Sequence, residues 1–226
     1  MGRGGNSDGQ LGNGEHGGGY ERAPIQVLCG EQDTTTGYLE NIVDIDAGAR
    51  TSIACDENGN VWTWGDNEDG QLGNDTYTDT DLPVQVHDGE MNTGSGYLEN
   101  IVAVATSADQ FNTSYALDAD GCVWAWGYNQ SGELGNDTRG LLGSVDTPVQ
   151  VHDGEMDTGS GYLEDIVAIC AGANHAFALD ENGNLWAWGG GNNGVLGQNS
   201  TSDKDTPVKV KDSAGTTQNP ALKTQH

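Results

Sequence analysis

AGANHAFALDENGNLWAWGGGNNGVLG, residues 171–197, reads as a β-hairpin followed by a loop. HAFAL (175–179) and LWAW (185–188) are short strands, and DENGN (180–184) between them is a tight turn in which Asn182 and Gly183 tolerate positive φ. Ahead of the hairpin, IVAICAG (166–172) is a strand rich in β-branched residues. Behind it the chain loops through Leu196–Gly197 to PVKV, a fourth strand predicted to begin at Pro207, where no amide proton is owed to a ladder. The unit is four short antiparallel strands.

That unit recurs. VWTWG at 61–65, VWAWG at 123–127 and LWAWG at 185–189 stand 62 residues apart, and Leu-Gly pairs follow each at a fixed offset, with a fourth pair at Leu11–Gly12. Pro24, Pro83, Pro148 and Pro207 mark the outer strands. Self-similarity on this scale belongs to a modular array whose units bury apolar faces only against their neighbours. Tandem four-stranded units predict an all-β fold, a β-propeller of four-stranded antiparallel blades. Its expected divisions are a partial blade at 1–41 and blades at 42–100, 101–165 and 166–226, about three and a half blades in all. Alternation along the strands sends Trp62 and Trp64 to one face and Val61 and Thr63 to the other, and likewise Trp124/Trp126 and Trp186/Trp188. These six tryptophans are predicted to lie between blades, where each large aromatic contributes roughly 2–3 kcal/mol.

Composition narrows the function. The net charge is -27, and residues 51–203 hold 25 acidic side chains against one basic one, Arg139. Such a surface repels phosphate backbones and anionic lipid, so neither nucleic acid nor membrane is the expected partner. No apolar run approaches the ~20 residues of a membrane-spanning helix. The N-terminal MGRGGNSDG has no signal-peptide pattern. The acidic surface favours an extracellular or cell-surface setting over a cytoplasmic one. Cys29, Cys55, Cys122 and Cys170 show no C-x-x-C spacing and read as packing residues.

The quoted stretch is similar to the repeat of the regulator of chromosome condensation family: Ala-Gly, His, an apolar strand, Asp-x-x-Gly, aromatic-x-Trp-Gly, Asn-x-x-Gly-x-Leu-Gly and a late Pro-x-x-Val. Residues 47–73 match with Thr51 in place of the His, and 103–135 match with three extra residues. The resemblance implies a seven-bladed ring, of which this chain would be an open arc or a fragment, with self-association through its open blade faces expected. Members of the family include nucleotide exchange factors for small GTPases that also bind chromatin, ultraviolet sensors with clustered tryptophans, and a bacterial inhibitor that covers a β-lactamase active site. The charge argues against chromatin, and the Gly-Trp-Arg-His-Thr motif linked with light sensing is absent from this sequence.

No motif points to catalysis. GNGEHG (12–17) satisfies G-x-G-x-x-G but lacks the preceding strand and following helix that aim such a loop at pyrophosphate. His87 and His152 share a repeat position with Leu28 and Lys211, too sparse a set for metal. His175, the family's recurrent His, is expected to be buried and hydrogen-bonded. Asp56, Asp118, Asp120 and Asp180 read as turn formers, although carboxylates so placed also suit calcium. Asn74, Asn112, Asn129, Asn136 and Asn199 form glycosylation sequons that an Asn- and Thr-rich composition readily generates. Neither an enzyme nor a cofactor is expected. The expected function is a non-enzymatic scaffold presenting variable loops to a protein partner; the alternative, carried by the resemblance alone, is exchange activity on a small GTPase. Two loops break the repeat: TSADQFNT (106–113), with its insertion and Phe111, and RGLLGSVD (139–146), with Arg139, Leu141 and Leu142. An aromatic, an Arg and a leucine pair are typical interface anchors, so Phe111, Arg139, Leu141 and Leu142 are the candidate binding residues.

Overall fold

The computed structural model describes residues 2–17, 19–108, 112–140 and 143–211. Its strands are β1 (Gly2–Gly5), β2 (Tyr20–Ile25), β3 (Ile42–Ala47), β4 (Thr51–Asp56), β5 (Val61–Gly65), β6 (Thr80–Gln85), β7 (Ile101–Thr106), β8 (Thr113–Asp118), β9 (Val123–Gly127), β10 (Val145–Gln150), β11 (Ile166–Ala171), β12 (His175–Asp180), β13 (Leu185–Gly189) and β14 (Lys204–Lys209). They form three four-stranded antiparallel sheets, β3–β4–β5–β6, β7–β8–β9–β10 and β11–β12–β13–β14, and a two-stranded sheet of β1 and β2. This is the all-β propeller architecture, three full blades and the outer half of another.

The tryptophans fasten blade to blade. Trp124 and Trp126 of the second full blade pack against Ile53, Cys55 and Val61 of the first, and Trp186 and Trp188 of the third against Leu117, Val123 and Ala125 of the second. All six are buried. The two members of each pair differ, however. The first indole of each pair stays within its own blade: Trp62, Trp124 and Trp186 donate to Asp56, Asp118 and Asp180 at 2.9–3.0 Å. The second reaches across: Trp64, Trp126 and Trp188 donate to the carbonyl oxygens of Gln10, Gln71 and Glu133 in the preceding blade, at 2.8–2.9 Å.

The outer strands start earlier than the prolines suggest. Pro83, Pro148 and Pro207 lie inside β6, β10 and β14, each strand opening three residues before its proline. The register explains the tolerance: Thr63 pairs with Val84 but Gly65 with Thr80, so the proline sits in a bulge on the blade's outer strand, where its missing N–H costs no ladder bond.

A further element follows the outer strands β2, β6 and β10. Short 3-10 turns at Gly30–Gln32, Gly89–Met91 and Gly154–Met156 lie against the next blade. In each, a glutamate carboxylate accepts the backbone N–H of the neighbour's outer strand: Glu31 from Gln85 (2.8 Å), Glu90 from Gln150 (3.0 Å) and Glu155 from Lys209 (3.1 Å). The carboxylates thus satisfy strand-edge donors that would otherwise face solvent.

All four cysteines are free thiols. Cys55 bears out the packing reading: it is fully buried, its Sγ contacts the Ile101 carbonyl at 3.1 Å, and burial, aided by Asp56 and Asp44, pushes its thiol up to about 12. Cys170 is exposed instead, on a face of the third full blade that no described blade covers.

Candidate interaction face

Because neighbouring strands run antiparallel, the loops joining the first to the second strand and the third to the fourth leave the same edge of every blade. The Asp-x-x-Gly hairpins that join the second strand to the third leave the opposite edge. This separates a face of variable loops from a face of repeated turns.

The repeated turns are closed on themselves. In the first, Asp56 Oδ1 accepts the N–H groups of Asn58 and Asn60 and Oδ2 accepts the Trp62 indole; in the third, Asp180 accepts those of Asn182, Asn184 and Trp186. Among the described residues no group of three or more His, Cys, Asp and Glu is placed to hold a metal ion. Burial works to raise both carboxyls, but the bonds from Asn60 and Trp62, and from Asn184 and Trp186, outweigh it and hold them below the usual carboxylate range. A folded-state pKa below the unfolded one means stability that is present above the unfolded value, about 3.8, and lost as pH falls through the folded value. We therefore expect the melting temperature to fall steeply below about pH 4, and Asp180→Asn to flatten part of that fall, as read by thermal unfolding from pH 2 to 6.

The variable loops are built around buried asparagines. Asn67 and Asn129 are fully buried. The Asn67 Oδ1 accepts the Leu72 N–H and its amide donates to Thr76 and Thr78; Asn129 does the same toward Leu134 and Thr138. In the third full blade Gly191 replaces the asparagine, and a 3-10 turn at Asn192–Gly194 takes over the loop. Each loop also leans on the next blade: Asp75 N–H donates to the Asp146 carbonyl and Asp137 N–H to that of Asp205. The loops therefore make one continuous rim.

That rim is acidic. Asp66, Glu68 and Asp69 stand together, and burial, reinforced by Asp66 and Glu68, raises the Asp69 carboxyl. Arg50 reaches Asp66 at 3.6 Å. Tyr77 is exposed beside Asp146, Asp69 and Asp75, its hydroxyl raised by burial and then by those charges.

Of the four candidate anchors, Arg139 is on this rim and half exposed. Its Nε lies 3.5 Å from Asp205 Oδ2 on the next blade, so part of its charge is spent between loops. Phe111, Leu141 and Leu142 lie outside the described residues. Asn112, next to Phe111, is fully buried, with both ends of its side-chain amide unpartnered among the described residues. His175 departs from expectation: it is half-buried and stands edge-on to Phe177, 5.3 Å between ring centres, with burial lowering its pKa. His87 and His152 pack edge-on against Tyr97 and Tyr162 as a repeated surface pair.

Two features of this geometry escaped the sequence: the glutamate-bearing 3-10 turns, signalled by the recurrence of GEM after PVQVHD, and the Asp44/Asp46 pair. The latter accept the N–H groups of Val104 and Thr106, both at 2.9 Å, across the inner strands β3 and β7.

Tandem blades of this kind, each locked to the next by a Trp-x-Trp strand, define a class of repeat propellers. Sequence comparison then gives the family: the Regulator of chromosome condensation (RCC1) repeat matches residues 58–110, 120–179 and 182–222, and a second form of the same repeat matches 42–71 and 166–195. The chain belongs to the RCC1-repeat family. It is 30% identical over 178 residues to the ultraviolet-B receptor UVR8 of Arabidopsis thaliana, covering 77% of this chain and 35% of the receptor. It is 29% identical over 180 residues to the guanine nucleotide exchange factor SRM1 of Saccharomyces cerevisiae, covering 70% of this chain and 35% of that protein. The chain thus spans about a third of the length of these relatives. Among solved structures, Prp20p of Saccharomyces cerevisiae superposes with a TM-score of 0.60 at 21% identity, over 78% of this chain and 40% of that one. Human WBSCR16 superposes at 0.53 and 21% identity, over 91% of this chain and 61% of that one. These structural likenesses concern the fold.

Proposed function

We propose that the chain is a non-enzymatic, protein-binding portion of a propeller, and that its acidic loop rim is the docking face. The observation that carries this reading is the division of labour within each unit. Strands, indoles and Asp turns are repeated nearly unchanged, while the loops of the rim differ in length, in asparagine content and in charge. A repeated frame with variable loops puts specificity on the loops. The field of a chain at -27 favours a partner surface bearing Lys and Arg and disfavours nucleic acid. The reported binding of Prp20p to Gsp1p and histones shows a propeller of this fold engaging proteins, which supports the same use here.

Phe111, Arg139, Leu141 and Leu142 remain our proposed anchors. Replacing all four with Ala is expected to leave the melting curve nearly unchanged, since surface-loop substitutions cost little stability. Capture of the cognate protein from the native source should weaken by about 1–2 kcal/mol for each true anchor, as measured by titration of the purified pair. Unchanged affinity removes these loops from the docking face. The second reading, exchange activity, rests on the similarity to SRM1; it predicts faster nucleotide release from a small GTPase, which a fluorescent-nucleotide assay reads directly.

A further inference from the structure

One position of the frame varies between its repeats. The position just before each Leu-Gly pair holds Gln10, Gln71, Glu133 and Val195. Gln71 and Glu133 are the same part in two consecutive junctions. Each lends its backbone carbonyl to the next blade's second indole, Trp126 or Trp188. Each folds one side-chain oxygen back onto the N–H two residues earlier, Asp69 at 2.9 Å or Ser131 at 2.7 Å. The other arm of each, Gln71 Nε2 or Glu133 Oε1, is buried with no partner among the described residues. In the first junction that arm is a neutral amide. In the second it is a carboxylate oxygen on a residue only 1% exposed.

Beyond the hydrogen bonds from Ser131 and its own backbone, the surroundings do not favour the charge. Tyr115, from β8, donates its hydroxyl to the Glu133 carbonyl, not to the carboxylate. Tyr128, just beyond β9, has its hydroxyl raised by burial and then by Glu133 and Asp69. Asp203, in the loop before β14, adds repulsion, and Gly132 abuts Asp205 at the start of β14. Arg139, on the same loop as Glu133, is turned to Asp205.

We propose that Glu133 is a proton-operated latch on the junction between the β7–β10 blade and the β11–β14 blade. Protonated, it is neutral like the glutamines and the junction closes dry; ionised, it draws in water and loosens the contact that Trp188 makes. Burial pushes its carboxyl up to about 7, against the hydrogen bonds from Ser131 and its own backbone. A folded-state pKa above the unfolded 4.5 gives a contact at full strength below the unfolded value and progressively weaker as pH rises through the folded one. The latch therefore opens as pH rises toward and through about 7.

The test is thermal unfolding of the wild type, Glu133→Gln and Gln71→Glu from pH 5 to 8, together with exchange protection of the Trp188 and Trp126 indole N–H groups. The melting advantage of Glu133→Gln over the wild type should be smallest at pH 5 and widen toward pH 8. The protection factor of the Trp188 indole in the wild type should fall at least tenfold over this range, while that of Trp126 holds. Gln71→Glu should transfer the same loss to Trp126. Parallel melting profiles for the wild type and Glu133→Gln, or equal loss of protection at both indoles in the wild type, would overturn the proposal.

Discussion

Trp126→Ala is expected to lower stability by about 4 kcal/mol, the range for removing a large aromatic from a packed core. Trp126 has no exposed surface, packs with Ile53, Cys55 and Val61 of the preceding blade, and gives its indole proton to Gln71 at 2.9 Å. The substitution removes that packing, leaves a cavity between blades and takes away the indole that donates to the Gln71 carbonyl. Ser114 Oγ still reaches the same carbonyl, also at 2.9 Å, so the carbonyl itself is not orphaned and the loss is chiefly one of packing. For a chain of this size the melting temperature should drop by roughly 8–16 °C. Val43→Ala on the inner strand β3, where Val43 is 60% exposed, is the control and should shift it by little. Equal shifts for the two would mean that the indoles do not hold the blades together.

Gly89→Ala is the second large effect. Gly89 opens the 3-10 turn that follows β6 at φ +50, a region that alanine enters only with strain. A Cβ there would also collide with the backbone carbonyl of Pro148 on the next blade, and neither backbone has room to yield. Together these should cost about 3 kcal/mol or more and pull Glu90 off the Gln150 N–H. Gly94→Ala separates the two causes, because Gly94 has φ +84 but nothing near its would-be Cβ. It should cost only about 1 kcal/mol, the backbone part. Urea unfolding of both variants measures the difference; if the costs are equal, the turn is not wedged against the neighbouring blade.

The blade was legible in the sequence because its determinants are local. The Asn-Gly and Asp-Gly turns and the alternation around Trp62, Trp124 and Trp186 fix a hairpin without any distant contact. The repeat spacing then supplies the neighbour. What the sequence hid is directional. Nothing in Trp-x-Trp says that the first indole serves an Asp in its own blade and the second a carbonyl in the preceding one, since that depends on how far each blade is turned against the next. The 3-10 turns were equally hidden, as Gly-Glu-Met carries no strand or helix signal by itself. In the sequence Pro207 marks a strand start because a proline suits that place, but a bulge accommodates it just as well. Of the candidate anchors, only Arg139 falls within the described residues, engaged with Asp205. Glu133 is one of 35 acidic side chains, and what distinguishes it from the other buried carboxylates is a buried oxygen without a partner among the described residues, which the sequence does not display.

The one-way sense of the indole bonds has a consequence for synthesis on the ribosome. Each blade receives indoles from the blade after it in the chain, so Ile53, Cys55 and Val61 remain uncovered until Trp124 and Trp126 have been made, about 60 residues later. At a translation rate of roughly 5–20 residues per second, that is between about 3 and 12 s of exposed apolar surface. The nascent chain then carries a fresh sticky end at every stage of its growth. Each new blade covers the last and exposes its own, and a pause within a repeat prolongs the interval in which that end can be captured by another chain.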